Sequence, residues 1–222
     1  MITIVIPALN EAATIGNVIE GCKRYGDEII VIDGHSTDGT PEIAKNLSVK
    51  CITDSGKGKG AALRDAINEA KGDIIVFIDA DGSHDPDDIP KIVEPILKGE
   101  ADHVTGSRLL GGSSELHGGF DEFFRLMGSS FITACINWRF KVRISDSQNG
   151  FRAIKKDVAK KLNLKEDITT IEQEMIMKTL KKRFRLTEVP SHEHKRKAGY
   201  SKIRLSKVWL RYGYTLIKYL II

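Results

Sequence analysis

Residues 74–81 read IIVFIDAD, an unbroken apolar run followed by two aspartates one residue apart. Five apolar residues in a row, most of them β-branched, predict a strand that is buried on both faces. Asp79 and Asp81 then lie on the turn that leaves this strand. Two carboxylates at this spacing are suited to hold a hard divalent cation that also contacts a diphosphate. The alternative is an acidic turn that only caps a helix, which is how residues 85–88 are interpreted.

The alternation of apolar runs and helical patterns extends over the first hundred residues. Strands are predicted at 3–6, 28–32, 49–53, 74–78 and 103–105, with helices from Asn10, from Thr40, over 60–70 and over 88–97. This alternation predicts an α/β fold, with a mostly parallel, Rossmann-like sheet flanked by helices. Ligands of such sheets bind outside the carboxyl ends of the strands. Glu11, Asp33 and the Asp79 pair follow three of these ends, and because like charges repel, a cation or ligand hydroxyl groups are expected between them.

Two polar segments follow the second and third strands. Asp33, which begins the turn 33–40 (DGHSTDGT), is suited to accept hydrogen bonds from a base or a ribose. The alternative is a turn whose polar side chains satisfy backbone groups, and both interpretations can hold together. The loop 55–60 (SGKGKG) lacks the spacing of a phosphate-binding P-loop. It is interpreted either as a flank of a nucleotide pocket or as a simple connection.

Composition and charge indicate the cellular compartment and the kind of partner that the protein binds. The 222 residues carry a net charge of +4, and Cys22, Cys51 and Cys135 stand alone, which favours a reducing compartment. Asn10 and Glu11 end the first apolar run too early for a signal peptide, so we expect a cytoplasmic protein. Residues 195–222 contain eight basic residues and no acidic one. The rest of the chain therefore carries −4, the difference between +4 and +8, and the basic end is predicted to meet an anionic partner: nucleic acid, a phosphate or a membrane surface.

The second half of the chain contains two long helical patterns. Residues 120–140 are mostly apolar, and 203–222 combine a basic half with an apolar tip. The uncharged run 212–217 is far below the ~18 residues that a membrane span requires. We therefore divide the chain into a main domain, 1–194, and a basic amphipathic tail, 195–222, which is predicted to lie at a membrane interface. Residues 120–140 are interpreted equally as a second stretch that contacts lipid or as a plain core helix. For the tail, the alternative is a solvated charged face with a buried C-terminal anchor or a dimer contact.

Several short motifs, taken in order, resemble the family-two glycosyltransferases of the GT-A fold. They are residues 7–11 (PALNE), Asp33 with 36–40 (STDGT), and 79–81 (DAD). A further series is similar to one branch, the polyprenyl-phosphate glycosyltransferases such as the dolichol-phosphate mannose synthases. It comprises 106–108 (GSR), 146–152 (DSQNGFR), 188–190 (EVP), Arg196, Gly199, Ser201 and Lys202. The resemblance extends from residue 1 to about residue 205.

The resemblance implies a role for individual residues. The nucleoside of a nucleotide-sugar donor would contact Pro7, Leu9, Glu11, Ile32 and Asp33. The metal, Mg²⁺ or Mn²⁺, and the diphosphate would be held by Asp79, Ala80 and Asp81, with both aspartates as metal ligands and Asp81 catalytic. Donor or acceptor phosphates would contact Arg108, Arg196 and Lys202. The catalytic Arg125 and Ser129 would hold the phosphate of the lipid acceptor. Ser83 stands where the mannose synthases have an amide that reaches the metal.

The implied reaction is an inverting transfer of a hexose from GDP-mannose or a UDP-sugar to a polyprenyl or dolichyl phosphate. A phosphate monoester is largely dianionic at neutral pH, so it needs cations to position it more than a general base. Such an enzyme would be peripherally associated with the cytosolic face of a membrane.

Several rival functions are considered. A transferase acting on a sugar hydroxyl would need a carboxylate base, for which Asp146 is the candidate. A nucleotidyltransferase would usually carry a glycine-rich loop where residues 7–10 stand, and a protein that only binds nucleotide-sugar is a further alternative. Binding of nucleic acid is not expected, because strand-end carboxylates repel a phosphate backbone and no aromatic side chains for base stacking stand on the predicted strands.

Overall fold

The computed structural model describes residues 1–114, 120–196 and 205–221, without the side chains of 120–124 and 205–208. The strands are β1 (Ile2–Ala8), β2 (Glu28–Asp33), β3 (Lys50–Thr53), β4 (Ile74–Phe77), β5 (His103–Ser107), β6 (Arg152–Lys155) and β7 (Leu186–Pro190). The helices are α1 (Ile15–Cys22), α2 (Thr40–Asn46), α3 (Lys59–Glu69), α4 (Ile89–Leu97), α5 (Arg108–Gly111), α6 (Phe120–Phe140), α7 (Lys156–Leu162), α8 (Ile171–Lys181) and α9 (Leu205–Ile221), with a 3-10 turn at Pro86–Asp88.

The strands form one sheet in the order β3-β2-β1-β4-β6-β5-β7. All neighbouring pairs are parallel except those of β6, which runs antiparallel to β4 and β5. All four residues of β4 are buried in the middle of the sheet, as their apolar run predicts. One apolar core packs α1 and α4 on one face of the sheet, and a second packs α3, α7 and α8 on the other. The predicted GT-A class of fold, a mostly parallel sheet between helices, is confirmed.

The start of α1 differs from the sequence prediction. Asn10 was expected to cap this helix, but the helix begins at Ile15, and Asn10 has a positive φ of 52°. The side-chain oxygen of Asn10 instead accepts a hydrogen bond of 2.8 Å from the backbone of Thr37, in the next polar turn. The helix still buries Ile15 and Cys22, whose spacing gives it an apolar face. The capping prediction was wrong because a partner distant in sequence competes with the local one.

The C-terminal helix α9 packs against the body of the protein. Leu216 and Tyr219 lie in a third apolar cluster with Ile132 and Ile136 of α6 and Ile176 of α8. The side of α9 that carries Leu216 and Tyr219 is therefore a buried anchor, which was one of the alternatives for the C-terminal tail. No helix in the described parts of the chain is long and apolar enough to cross a bilayer.

A buried carboxylate ties α9 to the loop before α8. The side chain of Glu166 is fully buried, and its oxygens lie 2.9 Å from Arg211 Nη2 and 3.0 Å from Lys218 Nζ. Burial alone would raise the pKa of Glu166. Hydrogen bonds from Lys218, Arg211 and Thr170 outweigh that effect and lower the pKa to about 2.

The lowered pKa of Glu166 makes folding stability sensitive to acid. The pKa lies below its ordinary value of 4.5. The stabilisation, about 3 kcal/mol, is therefore complete above the unfolded-state pKa and is lost as the pH falls from that value through about 2. Urea denaturation between pH 7 and pH 2 should show wild type losing this increment relative to Glu166→Gln, which has no such group to protonate. Parallel curves for the two proteins would contradict the assignment.

Candidate active site

Three strand ends meet at one edge of the sheet, as the sequence predicts. β1 lies between β2 and β4, and its register pairs Pro7 with Ile32 and Ala8 with Asp33. The turn after β4 carries Asp79 to the same edge. Among the residues predicted to surround a nucleoside, Pro7 and Ile32 are therefore neighbours on adjacent strands, and Asp33 lies beside Ala8.

Asp33 has the properties of a ligand-binding carboxylate. Its side chain is buried, and Oδ2 accepts a hydrogen bond of 3.0 Å from the backbone of Ser36. Oδ1 is also buried but has no hydrogen-bond partner in the described part of the chain. A buried carboxylate oxygen without a partner is costly, so this atom is a natural acceptor for a ligand hydroxyl or N–H group.

The polar turn after Asp33 also has a structural role. Its Ser36 side chain accepts a hydrogen bond of 2.8 Å from Asn10 N, and its Asp38 side chain accepts one of 2.9 Å from Ala12 N. Leu9 is 40% exposed beside this turn, and Glu11 is half-buried with partners of its own. The turn therefore fixes the loop after β1, which is the structural role that the sequence suggested for it.

Asp79 forms an ion pair that the sequence analysis did not predict. Lys59, the first residue of α3, has its Nζ 2.8 Å from Asp79 Oδ1 and 3.0 Å from Glu172 Oε1. Burial opposes ionisation of both partners, but Lys59 lowers the pKa of Asp79, and Asp79 with Glu172 raises the pKa of Lys59. The only sequence signal for Lys59 was its place in the basic glycine-rich loop before a helix.

Asp81 is bound by a second cation. Arg196 Nη1 lies 3.1 Å from Asp81 Oδ2, and the backbone of Ser83 donates a hydrogen bond of 3.0 Å to Asp81 Oδ1. Ser83 is itself buried. The two aspartates of the DAD motif therefore each face a basic side chain, from α3 and from the segment after β7. Lys202, which was predicted like Arg196 to contact a phosphate, falls outside the described residues.

Arg108 binds an acidic side chain of the protein. Its guanidinium makes a two-pronged ion pair with Asp146, with distances of 2.6 Å from Nε to Oδ2 and 3.0 Å from Nη2 to Oδ1. Glu193 lies 3.5 Å away from Nη1. Burial would raise the pKa of Asp146, but Arg108 lowers it. Both oxygens of the candidate general base Asp146 are therefore engaged, and its lowered pKa makes it a weak base.

The Arg108–Asp146 pair gives a stability prediction. Arg108→Met leaves the buried Asp146 without its cation and should lower the free energy of unfolding by about 3 kcal/mol. The double variant Arg108→Met/Asp146→Leu removes that unpaired charge and should recover a large part of the loss. Guanidinium denaturation of the three proteins provides the measurement. A double variant no more stable than the single one would show that the unpaired charge is not the cause.

Tyr212 of α9 lies within electrostatic range of charged residues on α3, α6 and α8. Its hydroxyl donates a hydrogen bond of 2.7 Å to Thr169 Oγ1. Burial raises the pKa of Tyr212 to about 12, and the charges of Glu172, Lys59 and Arg125 all act on it. Arg125 and Ser129 are half-buried, one helical turn apart on α6. The predicted acceptor residue Arg125 therefore lies within electrostatic range of Tyr212.

Comparison with known proteins is consistent with this geometry. The sequence profile described as Glycosyl transferase family 2 matches residues 3–163, well over half of the chain. The chain belongs to this family. As a family-two glycosyltransferase it catalyses transfer of a sugar, and the predicted resemblance to the polyprenyl-phosphate branch is confirmed by the relatives.

Two curated relatives illustrate that branch. The UDP-N-acetylglucosamine–dolichyl-phosphate N-acetylglucosaminyltransferase of Methanococcus voltae is 32% identical over 185 residues, 73% of this chain and 72% of the relative. The dolichol-phosphate mannosyltransferase of Pyrococcus furiosus is 32% identical over 233 residues, 98% of this chain and 64% of the relative. The chain spans from 53% to 79% of the length of several other curated relatives.

A solved structure shares the fold. Glucosyl-3-phosphoglycerate synthase from Mycobacterium tuberculosis, in complex with Mn²⁺, UDP and glucosyl-3-phosphoglycerate, superposes with a TM-score of 0.77 at 24% identity. The superposition covers all of this chain and 80% of the synthase. This family-two glycosyltransferase therefore has the same arrangement of sheet and helices as the synthase.

Proposed function

We propose that this glycosyltransferase moves a hexose from a nucleotide-sugar to a polyprenyl phosphate, with inversion at the anomeric carbon. An oxygen of the lipid phosphate forms the new bond to that carbon. The bond from the carbon to the diphosphate breaks, and its electron pair leaves with the nucleoside diphosphate. The step needs cations at both phosphates and no proton transfer to a base.

The carboxylates of the DAD motif fit a divalent ion. Asp79 and Asp81 offer hard oxygen ligands, and each is paired with a cationic side chain, Lys59 or Arg196. No group of three or more candidate protein ligands occurs within the described ranges of the chain, so the diphosphate and water would complete the coordination. Mg²⁺ or Mn²⁺ at this position would neutralise the charge that develops on the leaving diphosphate.

Basic side chains would bind the phosphates of both the donor and the acceptor. Lys59 and Arg196, which bind the two aspartates, lie within reach of a diphosphate bound there. Asp33 would accept a hydrogen bond from the nucleoside through its unpartnered Oδ1. Arg125 and Ser129 on α6 would bind the acceptor phosphate, for which the fork of arginine is well suited.

The state of Asp146 is the observation that carries the choice of acceptor. A sugar hydroxyl needs a base to take its proton, but both oxygens of Asp146 are bound by Arg108 and its pKa is lowered. A phosphate acceptor is already ionised and needs no such base. The two relatives named as dolichyl-phosphate and dolichol-phosphate transferases support the same acceptor class.

Purified protein should be incubated with GDP-mannose, UDP-glucose and UDP-N-acetylglucosamine, each with polyprenyl phosphate, free hexose or 3-phosphoglycerate as acceptor. We expect one donor to give an acid-labile lipid-linked sugar and the other two acceptors to give no product. Arg125→Met should abolish lipid glycosylation while nucleotide binding persists. Transfer to free hexose with polyprenyl phosphate inert would contradict the proposal.

The acceptor would be reached at a membrane surface. The exposed side chains of α6 and α9 include many large apolar ones: Met127, Phe131, Trp138, Trp209, Leu210, Tyr214, Ile217 and Ile221. Exposed basic residues accompany them: Arg139, Lys141, Arg143 and Arg211. An apolar helical face with basic neighbours is the pattern of helices that lie on anionic lipid. This surface, formed by α6 and α9 and called the lipid-facing surface below, would hold the protein peripherally on the cytosolic side of a membrane.

Trp138 provides a test of the lipid-facing surface. It is 72% exposed, and Lys141 lies over its ring. Trp138→Glu removes apolar area worth about 1.5–3 kcal/mol when buried, so binding to phosphatidylglycerol vesicles should weaken about tenfold or more. Leu97→Glu on α4 is the matched control, because Leu97 is 69% exposed on the other face of the sheet. Equal loss in both variants, measured by vesicle co-sedimentation, would exclude this surface.

A further inference from the structure

One buried carboxylate binds four side chains of α9. Glu166 Oε2 lies 2.9 Å from Arg211 Nη2 and accepts a hydrogen bond of 3.2 Å from Thr215. Glu166 Oε1 accepts hydrogen bonds of 3.0 Å from Lys218 and 3.3 Å from Tyr219. The spacing of 4, 7 and 8 residues from Arg211 places all four side chains on one face of the helix. The position of α9 is therefore tied to the position of Glu166.

The backbone next to that carboxylate caps α3. The carbonyl oxygen of Asp167 accepts hydrogen bonds from Gly60 N and Ala61 N, at 2.8 and 3.2 Å, at the end of a helix that has no side-chain cap. Arg64 of the same helix donates to the Glu166 carbonyl oxygen and, at 2.5 Å, to Asp167 Oδ1. The contact is close: a Cβ atom on Gly60 would overlap the Glu166 carbonyl oxygen. The first turn of α3 therefore moves with residues 166–167.

The first residue of α3 is Lys59, which binds Asp79 of the DAD motif and Glu172 of α8. A second connection runs in parallel. Gln173 Nε2 donates a hydrogen bond of 3.2 Å to the backbone carbonyl of Tyr212, in α9. One of the two partners of Lys59, Glu172, is thus in a helix, α8, that α9 contacts.

We propose that Glu166 is a positioning residue. When α9 packs against Glu166, residues 166–167 hold the start of α3, and Lys59 is thereby placed to bind the donor diphosphate. The opposite side of α9 exposes Trp209 and Ile217, so a lipid surface bound there favours the position of α9 in which it packs against Glu166. This inference rests on the proposed function, and it deepens it by linking lipid binding to donor affinity. Linkage is reciprocal: vesicles that raise nucleotide affinity by a given factor are themselves bound more tightly by that factor when nucleotide is present.

Calorimetry with GDP and UDP in the presence of Mn²⁺, with and without phosphatidylglycerol vesicles, tests the coupling without any turnover. For wild type we expect the nucleotide that binds to bind about fivefold or more tightly with vesicles, and vesicle affinity to rise by the same factor with nucleotide. Glu166→Gln should still bind both but show less than a twofold change. Asp157→Asn, which removes an exposed carboxylate paired with Lys161, should behave as wild type.

Amide hydrogen exchange measures directly whether lipid binding at α9 stabilises the start of α3. Vesicles should slow exchange in the peptide covering residues 58–64 of wild type, which contains the amides that donate to Asp167, and should not do so in Glu166→Gln. If Glu166→Gln fails to fold, Arg64→Met replaces it, since this variant leaves the α9 contacts intact and weakens the link at α3.

Two negative outcomes are distinguishable. Nucleotide binding that vesicles leave unchanged in wild type, or equal coupling in wild type and variants, would overturn the role of Glu166 and leave the proposed function standing. Absence of any GDP or UDP binding by wild type would contradict the proposed function and this inference with it.

Discussion

Replacing Asp81 with asparagine should lower kcat/KM for sugar transfer by at least about a hundredfold, or about 2.7 kcal/mol in transition-state stabilisation. The amide is close in size but carries no charge, so it weakens both the hold on a divalent ion and the ion pair with Arg196. Initial rates at several Mn²⁺ concentrations would show the loss, and excess metal should restore only part of it.

Asp87→Asn is the matched control for this experiment. Asp87 is an exposed carboxylate six residues along the same loop, and it pairs with Arg24 at the surface. Its loss should change kcat/KM by less than about twofold, because surface ion pairs contribute little. Similar rates for Asp81→Asn and Asp87→Asn would remove the DAD motif from the mechanism.

Replacing Lys59 with methionine should give the second largest effect, on both rate and stability. Lys59 separates two carboxylates, Asp79 and Glu172, and is three-quarters buried between them. Without its charge the carboxylates repel, and the free energy of unfolding should fall by about 2–3 kcal/mol. We expect kcat/KM to fall about thirtyfold or more, because a cation at the diphosphate is lost.

A double variant separates these two roles of Lys59. Lys59→Met/Glu172→Gln removes one of the repelling carboxylates and should regain much of the stability without regaining the activity. Urea denaturation and steady-state kinetics on the single and double variants make the comparison. Recovery of activity together with stability would mean that Lys59 acts only through folding.

Most of the fold was predictable because its signals are local. The apolar runs of β1, β2 and β4 and the apolar faces of α1 and α4 are visible in short windows of sequence, and Thr40 with Pro41 starts α2 as predicted. The short helices α5 and α7 were missed, since four and seven residues give too little periodicity. The antiparallel direction of β6 depends on pairing with β4, which no local pattern encodes.

The candidate site was predictable only where strand ends define it. Asp33 is the last residue of β2 and Asp79 follows β4, so the sheet brings them to one edge. The ion pairs of this site join residues far apart in the chain: Lys59 with Glu172, and Arg108 with Asp146. Spacing alone therefore cannot tell that the guanidinium of Arg108, expected at a phosphate, is bound by a carboxylate of the protein.

Metal-dependent nucleotide binding tests the central claim most directly. Titration of wild type, Asp79→Asn and Asp81→Asn with GDP and UDP should be carried out in Mn²⁺ and again in EDTA. The proposed site predicts that wild type binds at least one nucleotide in Mn²⁺, that EDTA abolishes binding, and that either substitution weakens it tenfold or more. Equal affinity in EDTA and Mn²⁺, or unchanged affinity in both variants, would contradict a metal held by Asp79 and Asp81.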